Sequence, residues 1–427
     1  MNAHKRRWPL VLLAIGAAAV LILLVANFAL GDKPVDHVVP TLYAADEDQF
    51  LRTMGTMLGS PIVPGNSVSV LVNGDEIFPA MLDALRAARS TITFEMYIYW
   101  SGSVGKAFAD VLSERARSGV KVHVLIDGVG SGKIERAYVD QMEAAGVEVR
   151  RYNPPRFYTL DRLNNRTHRK LVIIDGRIAF TGGVGIADQW LGNAQDPEHW
   201  RDTHFRIEGP AVAYMQSAFM DNWMEVTGVV LHGPDYFPAL SKTGNKAAQV
   251  FWSSPTSGSR SMHLMYLLSL AAAQKSILLS MSYFIPDEVA IQMLVAAVKR
   301  GVAVRVILPG PHVDAAVVQR ASRARWEPLL RAGVEIYEYQ PTMFHCKVMI
   351  VDEIWTSVGS TNFDNRSFAL NDETNLNVYD RDFAKQQVRL FEEDLKHTRR
   401  ITLEDWKNRP WKEKLGDLAG SIFRSQL

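Results

Sequence analysis

The chain has 427 residues, with 47 Lys plus Arg against 46 Asp plus Glu and a formal net charge of +1, which excludes a whole-molecule attraction to nucleic acid. At 47% hydrophobic and 22% charged residues it is a folded chain able to bury large cores, long enough for two domains and a small third. Cys346 is the single cysteine, which excludes an intramolecular disulfide and a cysteine-based zinc site.

In chain order, a basic N-terminus (residues 1–7, with Lys5, Arg6 and Arg7) precedes Trp8 to Leu30, 23 positions without a charge. At about 1.5 Å per residue this run exceeds a ~30 Å hydrocarbon core. It is longer than the ~7–15 apolar residues of a cleaved signal, and no small-x-small cleavage site follows. The pattern predicts one transmembrane helix over 8–30. The basic flank places the N-terminus in the cytoplasm and, in a bacterium, the rest of the chain on the periplasmic side of the inner membrane.

A connector (31–64) leads to alternating short β-branched runs and amphipathic stretches, the pattern of a mainly parallel α/β arrangement. Helices are expected at Phe78–Ala88 and Val104–Ser118, strands at Thr91–Tyr99 and Val120–Ile126. The order returns with helices at Ser261–Ala273 and Glu288–Arg300 and strands at Ser276–Met281 and Val302–Leu308. Residues 117–126 and 145–149 match 299–308 and 332–336 at separations of 182 and 187. The fold expected is therefore two similar α/β halves, 65–235 and 236–395, related by a pseudo-two-fold. A tail, 396–427, carries seven Lys and Arg against three acids between Lys396 and Lys414. It reads equally as a strip for an anionic membrane or as a solvated helix packed by Trp406 and Trp411.

His168-Arg169-Lys170, an apolar run, Asp175 and Gly182-Gly183 recur as His345-Cys346-Lys347, Asp352 and Gly359-Ser360, every position offset by 177. Residues two apart on a strand share a face, so each His projects with its Lys while the apolar residues anchor the strand. Two such strands at a pseudo-two-fold would bring two imidazoles and two ammonium groups to one pocket. That set suits a phosphodiester. The lysines neutralise the non-bridging oxygens, one imidazole attacks phosphorus, and the other protonates the departing oxygen. No metal or other cofactor is expected, because the carboxylates near the histidines come singly. Cys346 alternates away from the pocket. Gly182-Gly183 reads either as a phosphate nest or as a tight turn.

The paired motif, with Glu95-Met96-Tyr97-Ile98-Tyr99, His199-Trp200-Arg201-Asp202-Thr203-His204, Ser282-Tyr283-Phe284-Ile285-Pro286 and residues 358–367, resembles the phospholipase D superfamily. Within it the chain is most similar to bacterial cardiolipin synthases of that type. The resemblance implies phosphatidyl transfer from one phosphatidylglycerol, or a related donor, to the glycerol hydroxyl of another. It makes His168 the nucleophile and His345 the acid, then base, with Lys170 and Lys347 on the phosphate. Asp202 and Glu373 would orient the imidazoles, and Asn362 would bind phosphate, its first-half counterpart being Gly185. Asp175 and Asp352 complete the motif and count with the catalytic set, with support of structure near the site as their expected part. Gly183 and Ser360 are expected at the substrate. Glu95 is read either as a pocket residue or as a partner for a buried Arg or Lys. The partners implied are phospholipid and membrane, not nucleic acid. An aromatic and basic segment, Arg156 to Leu163, reads either as a loop at the site mouth suited to an interfacial substrate or as an ordinary surface loop. The rival readings are a lipid hydrolase releasing phosphatidic acid, a nuclease and a degenerate scaffold.

Overall fold

The computed structural model describes residues 8–29, 37–154, 164–254 and 261–421. Lys5, Arg6, Arg7 and the segment 156–163 lie outside them. The charge-free run forms a helix, Trp8–Ala29, of 22 residues, and the described side chains Leu12, Leu13 and Leu21 on it are exposed. Among the described residues no helix is long and apolar enough to cross a membrane. Within Trp8–Ala29 the side chains described are those of residues 8–9 and 11–22.

The first half contributes β1 (Val63–Val72), β2 (Thr91–Met96), β3 (Lys121–Asp127), β4 (Glu148–Tyr152), β5 (Arg166–Thr167), β6 (Lys170–Ile174), β7 (Ile178–Gly182) and β8 (Thr203–Glu208). The second contributes β9 (Lys246–Ser253), β10 (Ser276–Met281), β11 (Ala303–Pro309), β12 (Glu335–Tyr339), β13 (Lys347–Val351), β14 (Trp355–Gly359), β15 (Asn371–Tyr379) and β16 (Thr398–Ile401). Their spatial order is β16-β12-β11-β10-β13-β14-β15-β9-β1-β8-β7-β6-β2-β3-β4, with β5 paired to β15. Outward from the β1–β9 contact, equivalent strands follow in the same sequence in both directions. The expected duplication is therefore a folded pseudo-two-fold.

The sheet departs from the mainly parallel arrangement expected: in each half only three strands run parallel (β2–β3–β4 and β10–β11–β12), while the motif strand and the strands inward from it to the β1–β9 contact pair antiparallel. Strands β2, β6 and β13 are buried at every position, because helices cover both faces. The helices expected from apolar spacing form at Asn73–Arg86, Ser103–Arg117, Ser261–Ala272 and Glu288–Lys299. Their sheet-facing sides build one core per half. A third core joins Met215, Phe219 and Trp223 on helix Val212–Thr227 with Phe344, Phe383 and Phe391 of the second half. The two halves thus bury apolar surface against each other, and at roughly 25 cal/mol per Å² this shared core fixes how they meet.

Asp175 and Asp352 leave the catalytic set. Each follows the last residue of its motif strand, roughly 16 Å along the chain from Lys170 or Lys347 at about 3.3 Å per residue. Both adopt positive φ, 52° and 53°. Asp175 accepts from the backbone N–H groups of Arg89, Ser90 and Thr91, and Asp352 from those of Gln274, Lys275 and Ser276. The motif acid therefore ties the end of its strand to the start of β2 or β10. Asp352→Ala strands three backbone donors, so unfolding by denaturant should show a loss of about 1–3 kcal/mol, with turnover per folded molecule within about twofold. A hundredfold rate loss at unchanged stability would return the residue to the chemistry.

Candidate active site

The motif strands start at one pocket. Lys170 Nζ donates to the His168 carbonyl at 2.7 Å, and Lys347 Nζ to the His345 carbonyl at 2.8 Å and to Ser282 Oγ at 2.6 Å. Ser282 Oγ in turn donates to Asn362 Oδ1 at 2.7 Å. All four motif side chains are buried. His345, Lys170 and Lys347 each act electrostatically on His168, so the copies converge on one site.

Each imidazole is held by the opposite half. His168 Nδ1 lies 2.9 and 3.0 Å from the Glu373 carboxylate oxygens, and its N–H donates to the Asp372 carbonyl. His345 Nδ1 lies 2.8 Å from Asp202 Oδ2, and its N–H donates to the Arg201 carbonyl. A carboxylate only accepts, so Nδ1 carries the proton and Nε2 is left for chemistry. The acids have different supports. Ser360 Oγ and Asn371 Nδ2 donate to Glu373, whereas Trp190 Nε1 and the Thr203 N–H donate to Asp202.

These environments push the two pairs apart. Burial, then Lys170 and Lys347, holds His168 well below its ordinary value, and burial raises Glu373. Burial also works to raise Asp202, but His345 and Lys347 outweigh it and keep that carboxylate ionised. His168 is thus a neutral imidazole beside a reluctant acid, and His345 sits against a fixed negative charge. Burial and Lys347 lower His345 as well, with Asp202 opposing them, so the pairs differ in their acids: Asp202 is held ionised beside His345, while Glu373 beside His168 is raised. Burial depresses both lysines, and a phosphodiester anion entering the pocket favours their charged forms.

Gly183 and Ser360 depart from expectation, and of the two readings of Glu95 the structure favours the partner of a buried Arg. Glu95 pairs with Leu171 across β2 and β6, so it shares the face of Arg169, opposite Lys170. It accepts from Asn222 Nδ2 and Thr167 Oγ1; burial raises it to about 7, with Arg169 as the main opposing charge. It belongs to the buried layer behind the pocket. Gly183 donates its N–H to the Thr203 carbonyl, so it offers phosphate no donor. A Cβ there would lie 2.2 Å from Asp202 Oδ1, and the glycine makes room for that acid. Ser360 likewise serves Glu373. Gly185 cannot be replaced by the asparagine of the second half without displacing Ile98, because a Cβ added at Gly185 would stand 2.9 Å from that side chain. Cys346 is buried, pushed up to about 12 by burial, and faces the shared core.

Sequence reasoning missed several positioning groups. Trp190 and Trp200 place their rings 5.3 and 5.5 Å from His345, and Tyr97 its ring 5.0 Å from His168. Arg201 donates to Asp394 at 2.7 and 2.9 Å, a buried ion pair between the halves beside Asp202. Trp200, Arg201, Tyr97 and Ser282 all stand in the stretches that carried the family resemblance, which was the available signal.

The crossed pairs make a kinetic prediction. With a donor whose leaving group is p-nitrophenolate, departure needs no acid, so Asp202→Asn keeps formation of the covalent enzyme near wild type while Glu373→Gln slows it roughly 10²–10⁴-fold. With a phosphodiester whose leaving group is an ordinary alcohol both slow. Equal loss for both variants on the activated donor would contradict the crossing. On that donor the neutral form of His168 is the reactive one, and its lowered value keeps it neutral above pH 6.5. The rate should stay level as pH falls to 6.5 and drop only below it, read by stopped-flow release of p-nitrophenolate.

A family model described as "Cardiolipin synthase, PLD-like domain" matches residues 81–223 and 266–395. The chain is 36% identical to the cardiolipin synthase of Geobacillus kaustophilus (strain HTA426) over 92% of this chain and 79% of that one. It is 35% identical to that of Alkalihalophilus pseudofirmus over 89% and 76%. Among solved structures, phosphatidylserine synthase of Haemophilus influenzae Rd KW20 shares the fold, with a TM-score of 0.68 at 14% identity over 89% of this chain and 100% of that one. With the paired motif, the duplicated sheet and these matches, the chain belongs to the cardiolipin synthase family of PLD-like proteins.

Proposed function

We propose that the protein makes cardiolipin, moving phosphatidyl from one phosphatidylglycerol to the glycerol hydroxyl of a second. The observation that carries this reading is the crossed pair of imidazoles over two buried lysines, in a chain whose relatives are named cardiolipin synthase. His168 Nε2 attacks phosphorus, and the bond to the headgroup oxygen breaks. His345 gives that oxygen its proton, and free glycerol leaves. The second lipid's hydroxyl then loses its proton to His345 and displaces His168, so the enzyme ends as it began. Lys170, Lys347 and Asn362 hold the non-bridging oxygens throughout. The step needs no net proton or oxidant.

Membrane attachment fits the same reading. The helix Trp8–Ala29 contains no charged residue, and it would anchor the chain once in the inner membrane, its N-terminus in the cytoplasm and the two halves beyond. At the other end, helix Trp411–Ser421 exposes Trp411, Leu415 and Leu418 at 66%, 56% and 65%. Their i, i+4, i+7 spacing makes one apolar face, with Lys412 and Lys414 beside it, as suits an anionic bilayer surface.

Purified protein in vesicles containing headgroup-labelled phosphatidylglycerol should yield cardiolipin and free glycerol without added nucleotide. Phosphatidic acid as the sole lipid product would make it a hydrolase. His168→Ala should lower transfer at least about 10⁴-fold; a fully active variant would defeat the mechanism.

A further inference from the structure

Helix Trp411–Ser421 packs against helix Ala316–Arg323, and glycine lets it come close: a Cβ added at Gly420 would stand 3.0 Å from the Ala321 backbone nitrogen. Beside this contact lies a hollow of about 410 Å³, within the roughly 300–1,000 Å³ of small-molecule sites. Arg325, Trp406, Arg409, Lys414, Asp417 and Leu418 line it, and none of the four motif side chains does. It is a place apart from the pocket of the paired histidines.

The guanidinium groups around it are fixed in place and only partly used. Arg409 holds its guanidinium carbon 3.9 Å from the centre of the Trp406 ring, while its Nε donates to Asp417 Oδ2 at 2.8 Å and its Nη1 to the Trp406 carbonyl. Arg325 gives Nε to the Pro286 carbonyl and Nη2 to Glu288 Oε2, both at 3.1 Å. Among the described residues nothing accepts from Arg409 Nη2, Arg325 Nη1 or the ammonium of the exposed Lys414. Arg323 and Glu413 nearby pair with each other at 3.7 Å. Three cations, Arg325, Arg409 and Lys414, thus meet two carboxylates, Asp417 and Glu288, which leaves one positive charge to be balanced. Guanidinium edges with spare donors suit phosphate oxygens. Leu418 is at once a wall of the hollow and, with Trp411 and Leu415, part of the exposed apolar face.

We propose that this hollow is a second lipid site, which takes the phosphodiester headgroup of an anionic phospholipid other than the one undergoing transfer. The proposal rests on the reading of helix Trp411–Ser421 as a bilayer-facing element. A single phosphodiester supplies the one negative charge the cluster lacks, and the acyl chains leave past Leu418 along the apolar face. A zwitterionic lipid brings an ammonium group that restores the imbalance, so the site selects anionic lipid over phosphatidylcholine.

The test uses the full chain carrying His168→Ala, so that lipid is not consumed, in neutral detergent micelles. Hydrogen–deuterium exchange of the peptide covering residues 403–421 is the readout. Phosphatidylglycerol added to the micelles should slow exchange there, whereas phosphatidylcholine and inorganic phosphate should not. Lys414→Glu, at an exposed side chain without a partner, should raise the mole fraction of phosphatidylglycerol giving half of that protection at least about fivefold. Arg325→Gln should act in the same direction. Equal protection by phosphatidylcholine overturns the site and leaves the bilayer-facing helix standing. Protection by inorganic phosphate would make it a site for the free ion, and an unchanged lipid dependence in both folded variants would also overturn the proposal. Turnover is not part of the readout, so failure of the transferase reading leaves this result intact.

Discussion

The hydrogen bond from each imidazole to a carboxylate of the other half is the constraint on which the rest of the structure depends. His168 faces Glu373 and His345 faces Asp202, and the backbone N–H of each histidine is bound to the residue preceding that acid. Neither half holds a complete site. The shared core around Phe219, Phe344 and Phe383 and the buried Arg201–Asp394 pair therefore do more than join two copies. They set the distance across which both imidazoles are oriented. Removing one partner of such a buried pair leaves an uncompensated charge, at a cost of about 3–5 kcal/mol, and at this place that cost would be felt directly by His345.

The pseudo-symmetric frame carries asymmetric chemistry. Equivalent backbones receive Tyr97 against Ser282, Gly185 against Asn362, and Gly183 against Ser360, and each substitution changes what the pocket can do. Gly183 admits the shorter acid Asp202, which stays ionised, while Ser360 supports the longer Glu373, which burial pushes up. The two histidines therefore face acids of opposite shift although their strands are copies. Ground-state charges kept from water in this way are matched by an incoming phosphodiester, and preorganised donors of this kind act on the transition state without reorganising.

Much of this was legible in the sequence because strand chemistry is local. The period of two, the repeated His-x-Lys spacing and the turn glycines pointed to two α/β halves and to the four pocket side chains. The acids Asp202 and Glu373 came from family likeness, and their crossing could not be read, since spacing says which face a residue takes but not which strand lies across a pseudo-axis. Glu95 needed the β2–β6 register, which puts it with Arg169. Asp175 and Asp352 close the motif, and a supporting part near the site was expected of them. Their positive φ and their three backbone partners appear only once the turn is folded.

The proposed covalent intermediate on His168 is the step from which the rest of the proposed mechanism follows. Wild-type protein mixed with phosphatidylglycerol, quenched at alkaline pH within a turnover and digested, should show the phosphatidyl adduct by mass spectrometry on the peptide containing His168. An adduct on the His345 peptide, or turnover with no adduct at either histidine, would contradict it.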